Sequence, residues 1–95
     1  MENSNEYIQI LENIISEYKK IQKETGELLG YGHTDKRYVI QKKQLLDERL
    51  KKLRINWKEI LSSMNPSYVN MFKSKAPSTK TLDMIKRLVE QEKNT

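Results

Sequence analysis

A seam of apolar residues constrains this chain more than any other feature. Tyr7, Leu11, Ile14, Tyr18, Ile21 and Leu28 follow alternating four- and three-residue steps, with only Thr25 breaking the pattern. Residues at that spacing share one face of an α-helix, so residues 6–29 are expected to form one long amphipathic helix. Asn3, Ser4 and Asn5 ahead of it are all residues that can cap a helix start. Gly26 weakens the last turn by about 1 kcal/mol relative to Ala, and Gly30 and Gly32 supply the stop. Ile8, Ile10 and Ile15 widen the stripe beyond what a two-stranded coil needs, so this helix must pack on something.

The rest of the composition agrees with an all-α chain. Three Gly and two Pro in 95 residues leave few turns, and Lys, Glu, Gln, Leu and Ile are abundant. Hydrophobic residues at 36% against charged residues at 33% give a lean core, too small for the larger sheet enzymes. The absence of cysteine excludes disulfides and thiolate chemistry, and His33 is the single histidine, expected to be a plain loop residue. The start, MENSNEY, carries no basic patch, and no apolar run approaches the roughly 18 residues of a membrane span. A cytoplasmic protein with no membrane contact is the expectation, and no cofactor or metal is implied.

A second amphipathic segment is expected over residues 35–54, with Val39, Ile40, Leu45, Leu46, Leu50 and Leu53 apolar and Lys36, Arg37, Lys42, Lys43, Lys51 and Lys52 outward. Thr34 or Asp35 can cap it. Joined to the first helix by Gly30-Tyr31-Gly32-His33-Thr34, it should fold back antiparallel. Beyond Arg54, Asn56 with Glu59 three residues later predicts a new short helix over 57–64. Asn65-Pro66 predicts another over 66–74, and Ser78 after Pro77 a last one over 79–92. Trp57, Met64, Met71 and Met84 are expected to fill the core. The expected fold is thus a long N-terminal helical hairpin followed by a compact helix-turn-helix-like bundle of short helices.

Charge is segregated along this layout. Residues 1–34 hold three cations against six acids, a balance of −3, while residues 35–95 hold fifteen against seven, a balance of +8. The acidic part is expected to serve dimerisation or partner binding, and the basic part to attract a polyanion by counterion release. These parts, 1–34 and 35–95, are the expected domains.

The run PSYVNMFKSKAPSTKTLDMIKRLVEQ resembles the recognition helix and following helix of Cro/XRE-type phage repressors, and LDERLKKLR resembles that family's first helix. Only Asn65 separates Met64 from Pro66, where a helix-turn-helix turn has about three residues. The resemblance implies that Ser67, Tyr68 and Asn70 lie at the end of a helix that enters the major groove, that Val69 and Phe72 face the core, and that Lys73, Lys75 and Lys80 contact phosphates.

No phosphate loop, Ser/His/Asp set or HExxH spacing occurs, and the pairs Glu12 with Glu17 and Asp47 with Glu48 are expected to stay ionised and idle, so no enzyme is expected. Two functions compete. One is a small DNA-binding transcriptional regulator from a phage or mobile element, acting on double-stranded DNA as a homodimer through Tyr7, Ile8, Leu11, Ile14, Ile15, Tyr18 and Ile21. The other is a helical protein-interaction module, a phage-type inhibitor or adaptor, that binds a protein partner and not DNA; in a hybrid, a DNA reader is also controlled through its first helix by a regulatory protein partner.

Overall fold

The computed structural model describes residues 4–30 and 35–93. They form four helices: α1 (Ser4–Gly30), α2 (Lys36–Met64), α3 (Pro66–Met71) and α4 (Thr79–Lys93). The two long helices pack as a hairpin, α4 lies against α1, and α3 lies against α2. No strand occurs among the described residues. The connector containing Gly32, His33 and Thr34 lies outside them. Asp35 is the residue that caps α2, its carboxylate accepting the N–H groups of Arg37 and Tyr38 at 3.0 and 3.2 Å.

α1 follows its seam. Leu11, Ile14, Tyr18, Ile21 and Leu28 are all buried, Tyr7 and Thr25 half-buried. The added width has its use inside the chain. Ile15 is buried in the same cluster as Leu82, Ile85 and Val89 of α4, with Ile8 packed against it, while Ile10 stays exposed. α1 is wide because it has two neighbours, α2 and α4. The acidic first third is therefore built into the core of the basic remainder, and the expected domains meet in one cluster containing Leu11, Ile14, Trp57, Leu61, Tyr68 and Ile85.

α2 corrects the expected break at Asn56. One helix of 29 residues runs straight through it. Leu46, Leu50, Leu53, Trp57, Ile60 and Met64 keep the four-and-three rhythm, and neither Gly nor Pro interrupts the backbone. A mid-helix Asn costs at most about 0.7 kcal/mol, while burying a large apolar side chain gains roughly 1.5–3 kcal/mol. Trp57 and Leu61, each 1% exposed, decide the matter. The seam also separates Leu46, which is buried, from Leu45 and Ile40, which point outward at 57% exposure.

α2 ends at Asn65, whose N–H reaches Leu61 O at 2.9 Å, and the same residue starts α3. Its side-chain oxygen accepts the Ser67 N–H at 3.0 Å, and Pro66 occupies the first turn, where its missing N–H is not needed. α3 is shorter than expected and stops at Met71, which is exposed rather than a core filler. Met64 and Met84 are half-buried against the core. Ser78 receives the Thr81 N–H at 3.2 Å and opens α4.

The molecule measures 58 × 21 × 17 Å. Its length comes from the connector half of the hairpin, where a smaller cluster of Ile21, Leu28 and Leu46, with Val39, Leu50 and Leu53 around it, draws on α1 and α2 alone. This two-helix arm projects from a four-helix head.

Candidate nucleic-acid interface

The helix expected to enter a DNA groove turns its aromatic ring into the core. Tyr68 is 2% exposed, its ring edge-on to Phe72 with centroids 6.3 Å apart. Its hydroxyl donates to Glu92 Oε1 at 3.0 Å. Burial first, then the hydrogen bond to Glu92 and its charge, push the phenol up to about 12. A groove contact at Tyr68 is therefore corrected to a core position. Phe72 is buried and Val69 half-buried, as the helical phase requires.

Ser67 is exposed, but its hydroxyl and N–H both donate to Asn65 Oδ1, at 2.9 and 3.0 Å. The donors with which a helix start holds a phosphate are engaged there. Asn65 Nδ2 donates to the Glu92 carboxylate as well, at 3.0 Å, so an acid stands at this end of α3. Asn70, Lys73, Lys75 and Lys80 are exposed. Asn70 stands on α3, Lys80 in the first turn of α4, and Lys73 and Lys75 in the connector between them. Lys73 and Lys75 line one hollow together.

The surface expected to dimerise is also committed. Leu11, Ile14, Ile15, Tyr18 and Ile21 are buried within the chain, and Tyr7 and Ile8 are half-buried. A second copy or a partner protein would reach those five buried residues only by opening the chain's own core, while Tyr7 and Ile8 keep part of their surface accessible.

A different surface gathers positive charge. At 100° per residue, Lys36, Lys43, Lys51, Arg54 and Lys58 fall within about 80° of arc on one flank of α2, over about 33 Å of helix. All five are exposed. The acid in their midst, Asp47, is bound by Lys43 at 2.9 Å. Arg49 projects from another side of the helix and pairs with Glu24 of α1 at 3.8 Å.

Arg54 is the most firmly held member. Its Nε and Nη2 donate to Tyr18 Oη at 3.1 and 2.8 Å, and Tyr18 is itself buried in the hairpin. Two of its five N–H donors are used by Tyr18, which leaves three for another acceptor. Arg54 and Lys58 are absent from the sequence expectations because these broke the helix between them. Carrying the phase of Leu46, Leu50 and Leu53 through Trp57 places both on the cationic flank.

Among the described residues no group of three or more His, Asp or Glu side chains could hold a metal ion, and no helix is long and apolar enough to cross a membrane. The chain matches no protein-family model, no curated protein and no solved structure.

Proposed function

We propose that this protein is a small double-stranded-DNA-binding regulator that holds the phosphate backbone along the cationic flank of α2, rather than reading bases with α3. The observation that carries the reading is the alignment of Lys36, Lys43, Lys51, Arg54 and Lys58 on one side of a continuous helix. The length of that row, about 33 Å at 1.5 Å per residue, is close to one turn of duplex DNA, about 34–36 Å. Affinity then arises from phosphate neutralisation and counterion release, with little discrimination between sequences. Anisotropy titration of a labelled duplex at two salt concentrations tests it, since an electrostatic grip must weaken steeply with salt.

A protein-interaction role is favoured by a separate observation. Leu29, Tyr38, Ile40 and Leu45 are 49–57% exposed and all stand on the projecting arm. Scattered apolar side chains are ordinary on a small protein, so this is the second reading. It predicts binding to a protein partner with little response to salt.

A further inference from the structure

The cationic flank ends in a cleft. A hollow of about 300 Å³ opens between the C-terminal half of α2 and the connector from α3 to α4, lined by Arg54, Lys58, Lys73 and Lys75 together with Trp57 and Ser74. No acidic residue lines it. Four positive side chains line one concavity, and their summed field favours an anion there.

Trp57 supplies a second, independent observation. The residue is 1% exposed and its Nε1–H has no acceptor among the described residues. It is the only unpaired buried side-chain polar atom among the described residues. A native fold rarely leaves such a donor orphaned without water, an ion or a ligand to account for it. Here the orphan belongs to the one aromatic side chain lining the cationic hollow.

The shape narrows the anion. A phosphodiester carries one charge, flanked on both sides by sugars, and suits a convex or flat surface such as the flank of α2. A concave site with four cations suits a compact group with two or more charges and at least one free end. The volume lies at the low end of small-molecule sites, about 300–1,000 Å³. Arg54 arrives pre-positioned by Tyr18 with N–H donors to spare, and its planar fork matches phosphoryl oxygens. Ser74 adds a neutral hydroxyl at the rim.

We propose that the Trp57 cleft is a binding site for a multiply charged phosphoryl group, either a pyrophosphate moiety or a terminal phosphate monoester. The site shares Arg54 and Lys58 with the α2 flank, while Lys73 and Lys75 belong to the cleft alone, so it goes beyond the DNA reading and can fail separately from it.

The test is equilibrium dialysis of the full chain against inorganic pyrophosphate, with Trp57 fluorescence followed in parallel, because it is the sole tryptophan. Saturable binding with Kd below about 1 mM is expected, tighter than for sulfate at equal ionic strength. The exposed double substitution Lys73→Ala/Lys75→Ala should weaken it at least about 10-fold, whereas Lys36→Ala/Lys51→Ala should leave it unchanged. A nucleoside triphosphate, a terminally phosphorylated oligonucleotide and the same strand with a terminal hydroxyl distinguish a free nucleotide from a strand end as the source of the group. Absence of saturable pyrophosphate binding overturns the proposal, as does equal weakening by both double substitutions, which would reveal general charge attraction. Loss of duplex binding in Lys36→Ala/Lys51→Ala with pyrophosphate binding intact would locate the two activities on the two surfaces.

Discussion

The Tyr68 hydroxyl donates to Glu92 Oε1 at 3.0 Å, across 24 residues of sequence, and fastens α3 to the last turns of α4. Asn65 Nδ2 reaches the same oxygen at 3.0 Å. The short helix is thereby held at its cap and at its first buried ring. It serves as a brace for the head of the molecule.

That brace gives the chain an alkaline limit. In the folded protein the Tyr68 phenol is pushed up to about 12 from an ordinary value of 10.0, first by burial and then by Glu92. Below pH 10 the phenol is protonated folded or unfolded, so its contribution to stability is complete. Between 10 and about 12 the unfolded chain ionises while the folded one resists, and that contribution is lost. Unfolding midpoints should fall across this window, and less steeply in Tyr68→Phe. Ultraviolet titration of the native protein should show tyrosinate absorbance that is missing from the Tyr68→Phe difference until the upper end of the window.

Removing the hydroxyl alone should also be felt near neutrality. Tyr68→Phe keeps the ring against Phe72 and deletes one hydrogen bond to a charged acceptor, a loss of about 1.5–3 kcal/mol where the geometry is good. Denaturant unfolding measures it. A change within about 0.5 kcal/mol would mean that the Glu92 clamp adds nothing.

Neighbouring leucines of α2 offer a sharper contrast. Leu46 is 1% exposed in the arm, and Leu45 is 57% exposed. Leu46→Ala should cost about 2–5 kcal/mol through lost burial and a residual cavity. Leu45→Ala should stay within about 0.5 kcal/mol. Similar losses at the two positions would contradict the packing of the arm.

The internal use of the α1 seam bears on assembly. With Leu11, Ile14, Ile15, Tyr18 and Ile21 inside the chain's own core, the protein should sediment as a single 95-residue chain in the absence of DNA. Sedimentation velocity checks this. A stable dimer that Tyr7→Ala or Ile8→Ala dissociates would restore the dimerisation role first expected for that helix.

Much of this architecture is legible in the sequence, and the illegible part has a physical pattern. The α1 seam can be read residue by residue because heptad spacing is local and repeats over many turns. The start of α3 is readable from Asn65-Pro66, since the cap and the proline act within three residues. Asn56 misleads because a capping signal is local, while the helix through it is held by Trp57 and Leu61 burying in the core with Leu11, Ile14 and Tyr68. Tyr68 misleads for the same reason. Its partner Glu92 lies on another helix, and nothing near Tyr68 in the chain reveals it. The anchoring of Arg54 is illegible too, since Tyr18 stands 36 residues away.

The central claim, that the lysine- and arginine-lined flank of α2 grips duplex DNA, is tested most directly by the salt dependence of binding in parent and Lys36→Ala/Lys51→Ala proteins. Neutralising about five phosphates should give a slope of about −4 to −5 in log K against log salt. Removing the two lysines should reduce that slope by about 2, roughly 1 for each lost phosphate contact, and Asn70→Ala should leave both affinity and sequence preference unchanged. No duplex binding at low salt, or an unchanged slope in the double variant alongside relaxed base preference in Asn70→Ala, would contradict the account.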